Sequence, residues 1–372
     1  MYFLSEPSFP DFDRFCEEIK SIWDTKRLTN NGPYKKELEK KLLKLLKIDS
    51  ISISSNGTIA LMIALKALNI TDEVITTPYS FIATSSALLW SNIKPIYVDI
   101  EKDSFNIDAS KIEEKITNNT KAILATHCYG FPCEVDKINL IAKKYNLKVI
   151  YDAAHCFGVE KHNKSILNNG DISILSFHAT KVFNTMEGGA LICNNKRLLN
   201  KINLLKNFGF SGEDSIDEIG INGKITEMQS IFGLLLLDRI EEAIELRKNI
   251  YDFYITELRD IKGIKIRSIS KNLKYNYSYM PIIIDDSFGI SRDALYNYLS
   301  HRDIYVRKYF YPIIPETSVL KDMSVFDSYE LENAKDISQR ILCLPIHEGI
   351  TKEIQLKIIK SIRNSVKKYK KY

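Results

Sequence analysis

The feature that most constrains the fold of this chain is a repeated alternation of short apolar runs with segments of helical spacing. The apolar runs are rich in β-branched residues, which is typical of buried strands. We predict strands at 51–54, 73–76, 94–99, 121–126, 147–151, 172–177 and 190–193, and helices at 34–46, 59–68, 78–89, 109–116 and 135–145. Strands that alternate with helices favour a mostly parallel sheet with helices on both faces. The sequence therefore predicts an α/β domain.

The pattern changes after residue 195. A glycine-containing loop at 209–223 precedes a predicted long helix at 224–249. Beyond it, a strand at 279–284, a helix at 291–301, an extended run at 306–312 and a C-terminal helix indicate a smaller α+β unit. We predict an N-terminal arm and large domain over residues 1–248, and a small C-terminal domain over residues 249–372.

Composition excludes several classes of protein. No apolar run approaches membrane-span length, and the acidic, proline-broken start is unlike a signal peptide. The net charge of +5 is small beside 52 Lys and Arg and 47 Asp and Glu, and the lysine-rich tail at 367–371 is interpreted as a solvated helix end rather than a nucleic-acid site. The six cysteines form no CxxC pair, which favours reduced thiols and no metal. We expect a cytoplasmic protein without membrane or nucleic-acid partners.

One lysine is distinguished by its surroundings. Lys181 lies on the short connection between the predicted strands 172–177 and 190–193, after Ser-Phe-His and before Glu-Gly-Gly. A lysine close to the core loses solvation, which lowers its pKa and leaves a neutral amine able to attack a carbonyl. The alternative is an ordinary solvated loop lysine.

Other polar and aromatic residues lie at the carboxyl ends of the predicted strands, where ligands bind in such sheets. Gly-Thr at a helix start favours an anion site, although Asn-Gly-Thr is also an ordinary loop and helix cap. Asp152 ends a buried strand, so it needs either a cationic partner or a role as a helix cap. These strand-end residues are Gly57, Thr58, residues 79–81, His127, residues 152–155 and Ser176.

This set of residues meets the requirements of pyridoxal 5′-phosphate. The cofactor's aldehyde needs a lysine, and its pyridine nitrogen needs a carboxylate. Its phosphate needs a helix N-terminus and hydroxyls, and the faces of its ring need flat or apolar partners.

The chain resembles the DegT/StrS family of nucleotide-sugar aminotransferases from about residue 30 to residue 347. The resemblance implies the type I (aspartate aminotransferase-like) fold, with a mostly parallel seven-stranded sheet and a smaller α+β C-terminal domain. Within the family, the chain is most similar to enzymes that aminate dTDP-4-keto-6-deoxyglucose in dTDP-viosamine synthesis. The motifs that carry the resemblance are SSNGTIAL, ITTPYSFIAT, KPIYVDI, YDAAH, SFHATKVFNTMEGG, GING, ITEMQ and LCLPIH.

The resemblance also implies roles for residues around the cofactor. Lys181 would form the Schiff base and shuttle protons, and Asp152 would pair with the pyridine nitrogen. Phe81 would stack on the ring, and His155 would approach the 3-hydroxyl.

A second group would hold the phosphate: Gly57, Thr58 and Ser176 from the same chain. Asn222 matches a family asparagine that reaches the phosphate of the neighbouring subunit, which implies a homodimer with shared active sites. The chain departs from the family pattern at Lys224, where family members often have arginine.

The implied reaction has two stages. L-glutamate converts the cofactor to pyridoxamine 5′-phosphate, and the amine then passes to a dTDP-linked keto-sugar. Candidate substrate contacts are His178, Asn184, Arg307 and Tyr309. His178 could instead satisfy a loop carbonyl, and the segment around Arg307 could be a packed β-edge. Glu187 could shape the Gly188-Gly189 turn rather than touch substrate.

The resemblance favours amination at C4, giving dTDP-4-amino-4,6-dideoxy-D-glucose for O-antigen or another surface polysaccharide. Sugar 4-aminotransferases tend to have Ser-Phe-His before the lysine and Glu-Gly-Gly after it, whereas 3-aminotransferases more often have Ser-Phe-Tyr-Pro and Gly-Asp. This chain has the first pattern at both places. Three alternatives stay open: a 3-aminotransferase acting on a dTDP-3-keto-6-deoxy hexose, an aminotransferase acting on a UDP-4-keto-sugar, and a non-catalytic regulatory homologue. A dehydratase on this fold would have histidine in place of the lysine, so Lys181 argues against that class. A nicotinamide-dependent oxidoreductase would have a GxGxxG motif after its first strand, and this sequence has none there.

Overall fold

A seven-stranded sheet forms the centre of the larger part of the molecule. The computed structural model describes residues 1–321 and 330–369, so residues 370 and 371 of the basic tail lie outside it. The strands of all the sheets in the described chain are β1 (Ser52–Ser54), β2 (Glu73–Thr76), β3 (Lys94–Tyr97), β4 (Thr120–Thr126), β5 (Lys148–Asp152), β6 (Glu160–Lys161), β7 (Lys164–Ser165), β8 (Ile172–Ser176), β9 (Gly189–Ile192), β10 (Ile264–Lys265), β11 (Leu273–Lys274), β12 (Met280–Ile284) and β13 (Ile341–Leu344).

The central sheet has the strand order β1-β9-β8-β5-β4-β2-β3. The neighbours from β8 to β3 pair in parallel, whereas β9 is antiparallel to both β1 and β8. The predicted mostly parallel seven-stranded sheet is confirmed.

Helices cover both faces of this sheet. The helices of the described chain, including those of the smaller unit, are α1 (Phe12–Thr25), α2 (Pro33–Leu46), α3 (Gly57–Ala67), α4 (Ala83–Trp90), α5 (Val135–Tyr145), α6 (Lys196–Leu205), α7 (Glu227–Leu237), α8 (Ile240–Leu258), α9 (Arg292–Ser300), α10 (Ser318–Lys321), α11 (Glu332–Arg340) and α12 (Lys352–Tyr369). Alternate residues of β4 point to opposite faces: Ala122 and Leu124 pack with α3, α4 and α6, and Ile123 and Ala125 pack with α5. The buried, continuously apolar strands are the pattern expected of a sheet covered on both sides.

Two helix predictions are wrong. The segment 109–116 forms only two 3₁₀ turns, Ala109–Lys111 and Glu113–Lys115. The Asp108 carboxylate accepts hydrogen bonds from the backbone N–H and the hydroxyl of Ser110, and such local bonds compete with helix formation.

The predicted helix 224–249 is interrupted, because α7 ends at Leu237 and α8 begins at Ile240. Between them, the Asp238 carboxylate pairs with Arg14 at 3.2 Å and Lys41 at 3.3 Å. These partners are distant in sequence, so the apolar periodicity alone contains no sign of the break.

A second, antiparallel sheet of order β10-β12-β13 belongs to the smaller unit, with α9, α11 and α12 packed around it. The predicted division after residue 248 falls inside α8, which runs on without interruption. One buried cluster also joins Tyr79 and Tyr129 of the larger part to Met280 and Leu344 of this sheet. The two parts therefore share a hydrophobic core beside the ends of the central strands.

Within residues 1–321 and 330–369, no helix combines the length and apolar character needed to cross a membrane. All six cysteines are free, and five of them are buried.

Candidate active site

A cavity of about 660 Å³ opens at the carboxyl ends of β4, β5 and β8. Thr126, Asp152 and Ser176, the last residues of those strands, all line it. The other lining residues are Asn56, Gly57, Thr58, Ile59, Leu61, Ser80, Phe81, Ala83, Ala154, His155, Ile174, His178, Thr180, Lys181, Glu187, Tyr279, Arg307, Tyr309 and Phe310. The strand ends thus meet residues of the smaller unit across one cavity.

Lys181 projects into this cavity from the connection between β8 and β9. Its Nζ donates to the hydroxyl of Tyr279 at 3.4 Å. Burial lowers the pKa of Lys181 to about 8, against the opposing influence of the Asp152 carboxylate. More of this amine is therefore neutral near neutral pH than in an ordinary lysine, and the neutral form is the one that a nucleophile or proton acceptor requires.

Asp152 faces the same cavity from the end of β5. Its Oδ2 accepts from the Thr84 hydroxyl at 2.7 Å, and its Oδ1 accepts from the Ala154 N–H at 3.2 Å. Burial raises the pKa of this carboxyl. No helix begins after Asp152, so it does not cap one, and it forms no ion pair with any residue that the structure describes. A buried carboxylate in this state offers a place for a cationic ligand atom.

His155 and Phe81 lie on the cavity wall. The backbone N–H of Tyr129 donates to His155 Nδ1 at 3.1 Å, so the ring proton is on Nε2. Burial holds the pKa of His155 well below its usual value, which keeps the ring neutral. Phe81 is 54% exposed, an unusual amount for a phenylalanine beside a core, and its ring is free to cover a flat ligand.

The start of α3 provides the predicted anion seat. The side chain of Asn56 caps the helix by accepting from the Ile59 N–H at 2.8 Å. The N–H groups of Gly57 and Thr58 have no acceptor in the described part of the chain. A Cβ on Gly57 would lie 3.2 Å from Ser176 Cβ, so glycine allows the helix to begin directly beside the Ser176 hydroxyl. Free amides and a hydroxyl at a helix N-terminus suit a phosphate.

Three of the predicted substrate contacts also line the cavity: His178, Arg307 and Tyr309. Arg307 is at the same time a β-edge residue, because its backbone exchanges hydrogen bonds with that of Cys343. Arg307 can therefore be part of a packed β-edge through its backbone and still line the cavity.

Two predicted residues lie elsewhere. Asn184 is 1% exposed and does not line the cavity; its Nδ2 donates to the Ser8 carbonyl at 3.2 Å and its Oδ1 accepts from the Met186 N–H at 3.1 Å. The Nδ2 of Asn184 thus ties the Lys181 connection to the N-terminal arm, and its Oδ1 bonds within that connection. Asn222 is exposed on the loop that follows Asn207, forms a backbone bridge with that residue and does not line this chain's own cavity.

His127 also departs from the strand-end expectation. Its ring stacks on Tyr151 with 4.6 Å between ring centroids, and its Nδ1 accepts from the Cys133 N–H at 3.0 Å. The side chain points into the core beneath the cavity, so its role is in packing.

Sequence reasoning missed Thr84 and Tyr279. Thr84 lies three residues after Phe81, a spacing that returns to the same side of a helical turn, so it could have been found once Phe81 was chosen. Tyr279 is almost a hundred residues from Lys181, and no local pattern links the two.

The chain is similar to known proteins over nearly its whole length. The sequence model of the DegT/DnrJ/EryC1/StrS aminotransferase family matches residues 12–363. A dTDP-4-amino-4,6-dideoxy-D-glucose transaminase of Shigella dysenteriae is 47% identical over 361 residues, which are 97% of this chain and 98% of that protein. A protein of the same name from Escherichia coli is 45% identical over 358 residues, 96% of each chain.

The fold has a solved counterpart. The crystal structure of DesI in the presence of its TDP-sugar product superposes with a TM-score of 0.94 at 27% identity, covering 99% of this chain and 94% of that one. The extent of the sequence match and the agreement in fold confirm the resemblance: this chain belongs to the DegT/DnrJ/EryC1/StrS aminotransferase family.

Proposed function

We propose that this aminotransferase uses pyridoxal 5′-phosphate to transfer the amino group of L-glutamate to C4 of dTDP-4-keto-6-deoxy-D-glucose. The product would be dTDP-4-amino-4,6-dideoxy-D-glucose, a precursor for O-antigen or another surface polysaccharide. One observation carries the proposal: a lysine of lowered pKa, Lys181, shares a cavity with a buried carboxylate, Asp152, that forms no ion pair with any described residue. The named function of the relative that is 47% identical supplies the choice of sugar.

The residues around the cavity fit this cofactor. The unpaired carboxylate of Asp152 suits a protonated pyridine nitrogen, and the free amides of Gly57 and Thr58 suit a phosphate. Phe81 would cover the ring, and the Nε2–H of His155 would donate to the 3-hydroxyl. When bound, the cofactor supplies an electron sink that allows an amino group to leave one carbon and to be delivered to another.

Lys181 would carry protons in both stages of the reaction. Its Nζ can accept a proton and return it near neutral pH, because burial brings its pKa to about 8. The hydroxyl of Tyr279, 3.4 Å from that Nζ, holds the amine on the cavity side of the loop. Asp152 opposes full loss of the proton by raising the lysine pKa, so the amine stays available for both directions of transfer.

The nucleotide end of the substrate requires positive charge. Arg307 is the guanidinium on the cavity wall within the described residues, and we assign it to the diphosphate, with Tyr309 beside it. His178 lies two residues beyond Ser176 and also lines the cavity, and we infer that it limits how deeply the hexose enters and thereby selects C4.

We also infer a cytoplasmic homodimer in which each active site receives Asn222 from the partner subunit. The support within this chain is that Asn222 is exposed, does not line this chain's own cavity, and lies on a loop that carries exposed apolar residues. Those residues are Phe208, Phe210, Ile216, Ile219 and Ile221.

The proposal is tested by visible absorbance. The protein should bind pyridoxal 5′-phosphate with a band at roughly 400–430 nm that disappears on adding L-glutamate. Lys181→Ala should lack this band, whereas Lys44→Ala, an exposed lysine on α2, should keep it. Since a lowered pKa leaves more of Lys181 neutral, the band should form faster on cofactor-free protein as the pH rises through about 8, and then level off.

A colourless protein that takes up no cofactor would contradict the proposal. An unchanged band in Lys181→Ala would assign covalent attachment to another residue.

A further inference from the structure

We propose that Glu187, oriented by His178, recognises a hydroxyl of the hexose on the carbon next to the carbonyl. The inference rests on the proposed function, because it concerns the sugar that enters the Lys181 cavity. The other interpretation of Glu187 is that it only shapes the Gly188-Gly189 turn.

The β8–β9 ladder brings these two side chains together. Ser176 pairs with Gly189 in antiparallel register, and the next backbone bond runs from the Phe177 N–H to the Gly188 carbonyl at 2.8 Å. Continuing the register by one residue sets His178 directly opposite Glu187. Side chains opposite one another on antiparallel strands are close neighbours, and His178 Nε2 lies 3.6 Å from Glu187 Oε1.

The period of the strand aims both residues at the cavity. Phe177 is fully buried in the core, whereas Ser176 and His178, on the other side of the strand, line the cavity with Lys181. Glu187 lines it as well.

The tautomer of His178 is set by its own loop. The backbone N–H of Thr180 points to His178 Nδ1 at 3.3 Å, and the Thr180 hydroxyl, 2.9 Å from the same nitrogen, can also donate to it, so we assign Nδ1 as the acceptor. The proton is therefore on Nε2, the atom that faces the Glu187 carboxylate. A hydrogen on Nε2 directed at one oxygen of the Glu187 carboxylate orients that group and leaves its other oxygen to accept from a ligand.

The backbone of Glu187 is fixed more firmly than that of an ordinary surface residue. Its carbonyl accepts from the Thr185 hydroxyl at 2.7 Å and from Gln229 Nε2 at 2.8 Å. Gln229 belongs to the capping box of α7. A Cβ on Gly188 would lie 2.1 Å from Thr185 Oγ1, so glycine is needed to form this turn.

Stability does not account for this arrangement. The side chains of His178 and Glu187 are 46% and 58% exposed, and exposed ion pairs contribute little to the free energy of folding. What the arrangement achieves is a carboxylate held in place at the side of the cavity.

Charge decides which part of the substrates meets Glu187. A carboxylate repels the diphosphate of the nucleotide and both carboxylates of L-glutamate. The uncharged hexose has hydroxyls that can donate to it, and a hydrogen bond to a charged acceptor is stronger than one to a neutral acceptor. The hydroxyl beside the carbonyl carbon is favoured because that carbon must approach Lys181 in the same cavity.

The test separates the two half-reactions. Glu187→Gln, compared with Glu241→Gln on the exposed face of α8, is loaded with cofactor and mixed with L-glutamate in one arm. In the other arm, the aminated enzyme is mixed with dTDP-4-keto-6-deoxyglucose or with its analogue lacking the 3-hydroxyl. Cofactor absorbance follows each single turnover.

We expect Glu187→Gln to slow the sugar half-reaction by roughly 10- to 100-fold and to leave the glutamate half-reaction within about twofold. The wild-type protein should lose a similar factor on the analogue, and Glu187→Gln should lose little more on it, because both changes remove the same hydrogen bond. Glu241→Gln should match the wild type.

The inference would be overturned if Glu187→Gln slowed both half-reactions equally, or if the rate losses from the variant and from the analogue multiplied. Neither result would contradict the proposed function. Wild-type protein that accepts glutamate but does not aminate the keto-sugar would overturn the proposed function, and the inference with it.

Discussion

At the scale of single residues, a buried carboxyl group, Asp152, and the amine of a half-buried lysine, Lys181, line one cavity. Burial raises the pKa of the first and lowers the pKa of the second, so each is driven toward its neutral form. Perturbed groups facing one cavity are typical of functional sites. A positively charged ring nitrogen beside Asp152 would restore its negative charge.

Replacing Asp152 with asparagine tests this electrostatic role. Asp152→Asn preserves the side-chain shape and still accepts from Thr84, so it should bind cofactor but lose turnover by roughly 100- to 1,000-fold, since the electron sink is weakened. Cofactor absorbance and kcat are measured together, with the exposed Asp252→Asn as control. A near-normal kcat would reduce Asp152 to a residue that only holds the turn at Ala154.

Many of the cavity residues could be predicted from the sequence, because the cofactor requires particular side chains and few residues at predicted strand ends have them. Lys181, Asp152 and Ser176 follow directly from strand ends, which apolar runs reveal. Asn184 shows the limit: it was predicted to contact substrate, but its Nδ2 donates to the Ser8 carbonyl of the N-terminal arm, which is far away in sequence. Contacts of that range leave no local pattern.

At the scale of elements, the site depends on close packing between the start of β9 and the start of α3. A Cβ on Gly189 would lie 2.6 Å from the Asn56 carbonyl and 2.7 Å from the Gly57 nitrogen. Both are backbone atoms of the anion seat, so neither can turn aside as a flexible side chain would.

Gly189→Ala should therefore displace the anion seat. We expect a loss of about 1–3 kcal/mol in the free energy of unfolding, together with weaker cofactor binding. Denaturant unfolding and cofactor titration measure the two effects. Gly212→Ala is the matched control, since a Cβ there meets nothing closer than 3.8 Å. A Gly189→Ala protein with unchanged cofactor affinity would show that the seat tolerates movement.

Helices and strands were predicted correctly where the spacing of apolar residues matches the buried face. The prediction failed where contacts with residues distant in sequence end a helix. The helix Val135–Tyr145 was predicted at its observed bounds, because its apolar positions and its left-handed end at Asn146 are both local features. The break between α7 and α8 depends on Asp238 meeting Arg14 and Lys41, which are far away in sequence.

At the scale of the whole molecule, the loop carrying Asn222 presents an apolar surface. Ile219 is 84% exposed and Ile216 is 63% exposed, and Phe208 and Phe210 lie on the same loop. Clustered exposed apolar residues of this kind mark protein interfaces.

Ile219→Asp should weaken the proposed dimer by placing a charge in its interface. Sedimentation should then shift from twice the chain mass of 42.8 kDa toward one chain, and activity should fall on dilution. Leu140→Asp, an exposed leucine on α5, is the control. If Ile219→Asp and the wild type sediment alike as monomers that retain full activity, the shared-site proposal fails.

The central claim, that this chain aminates C4 of a dTDP-linked 4-keto-6-deoxy hexose, is tested most directly by the structure of its product. The protein is incubated with L-glutamate and a panel of dTDP- and UDP-linked 4-keto and 3-keto sugars, and the products are analysed by mass spectrometry and NMR. We predict rapid conversion of dTDP-4-keto-6-deoxyglucose, with the new amino group on C4. Rapid amination of the dTDP-3-keto isomer, with none of the 4-keto sugar converted, would contradict the account.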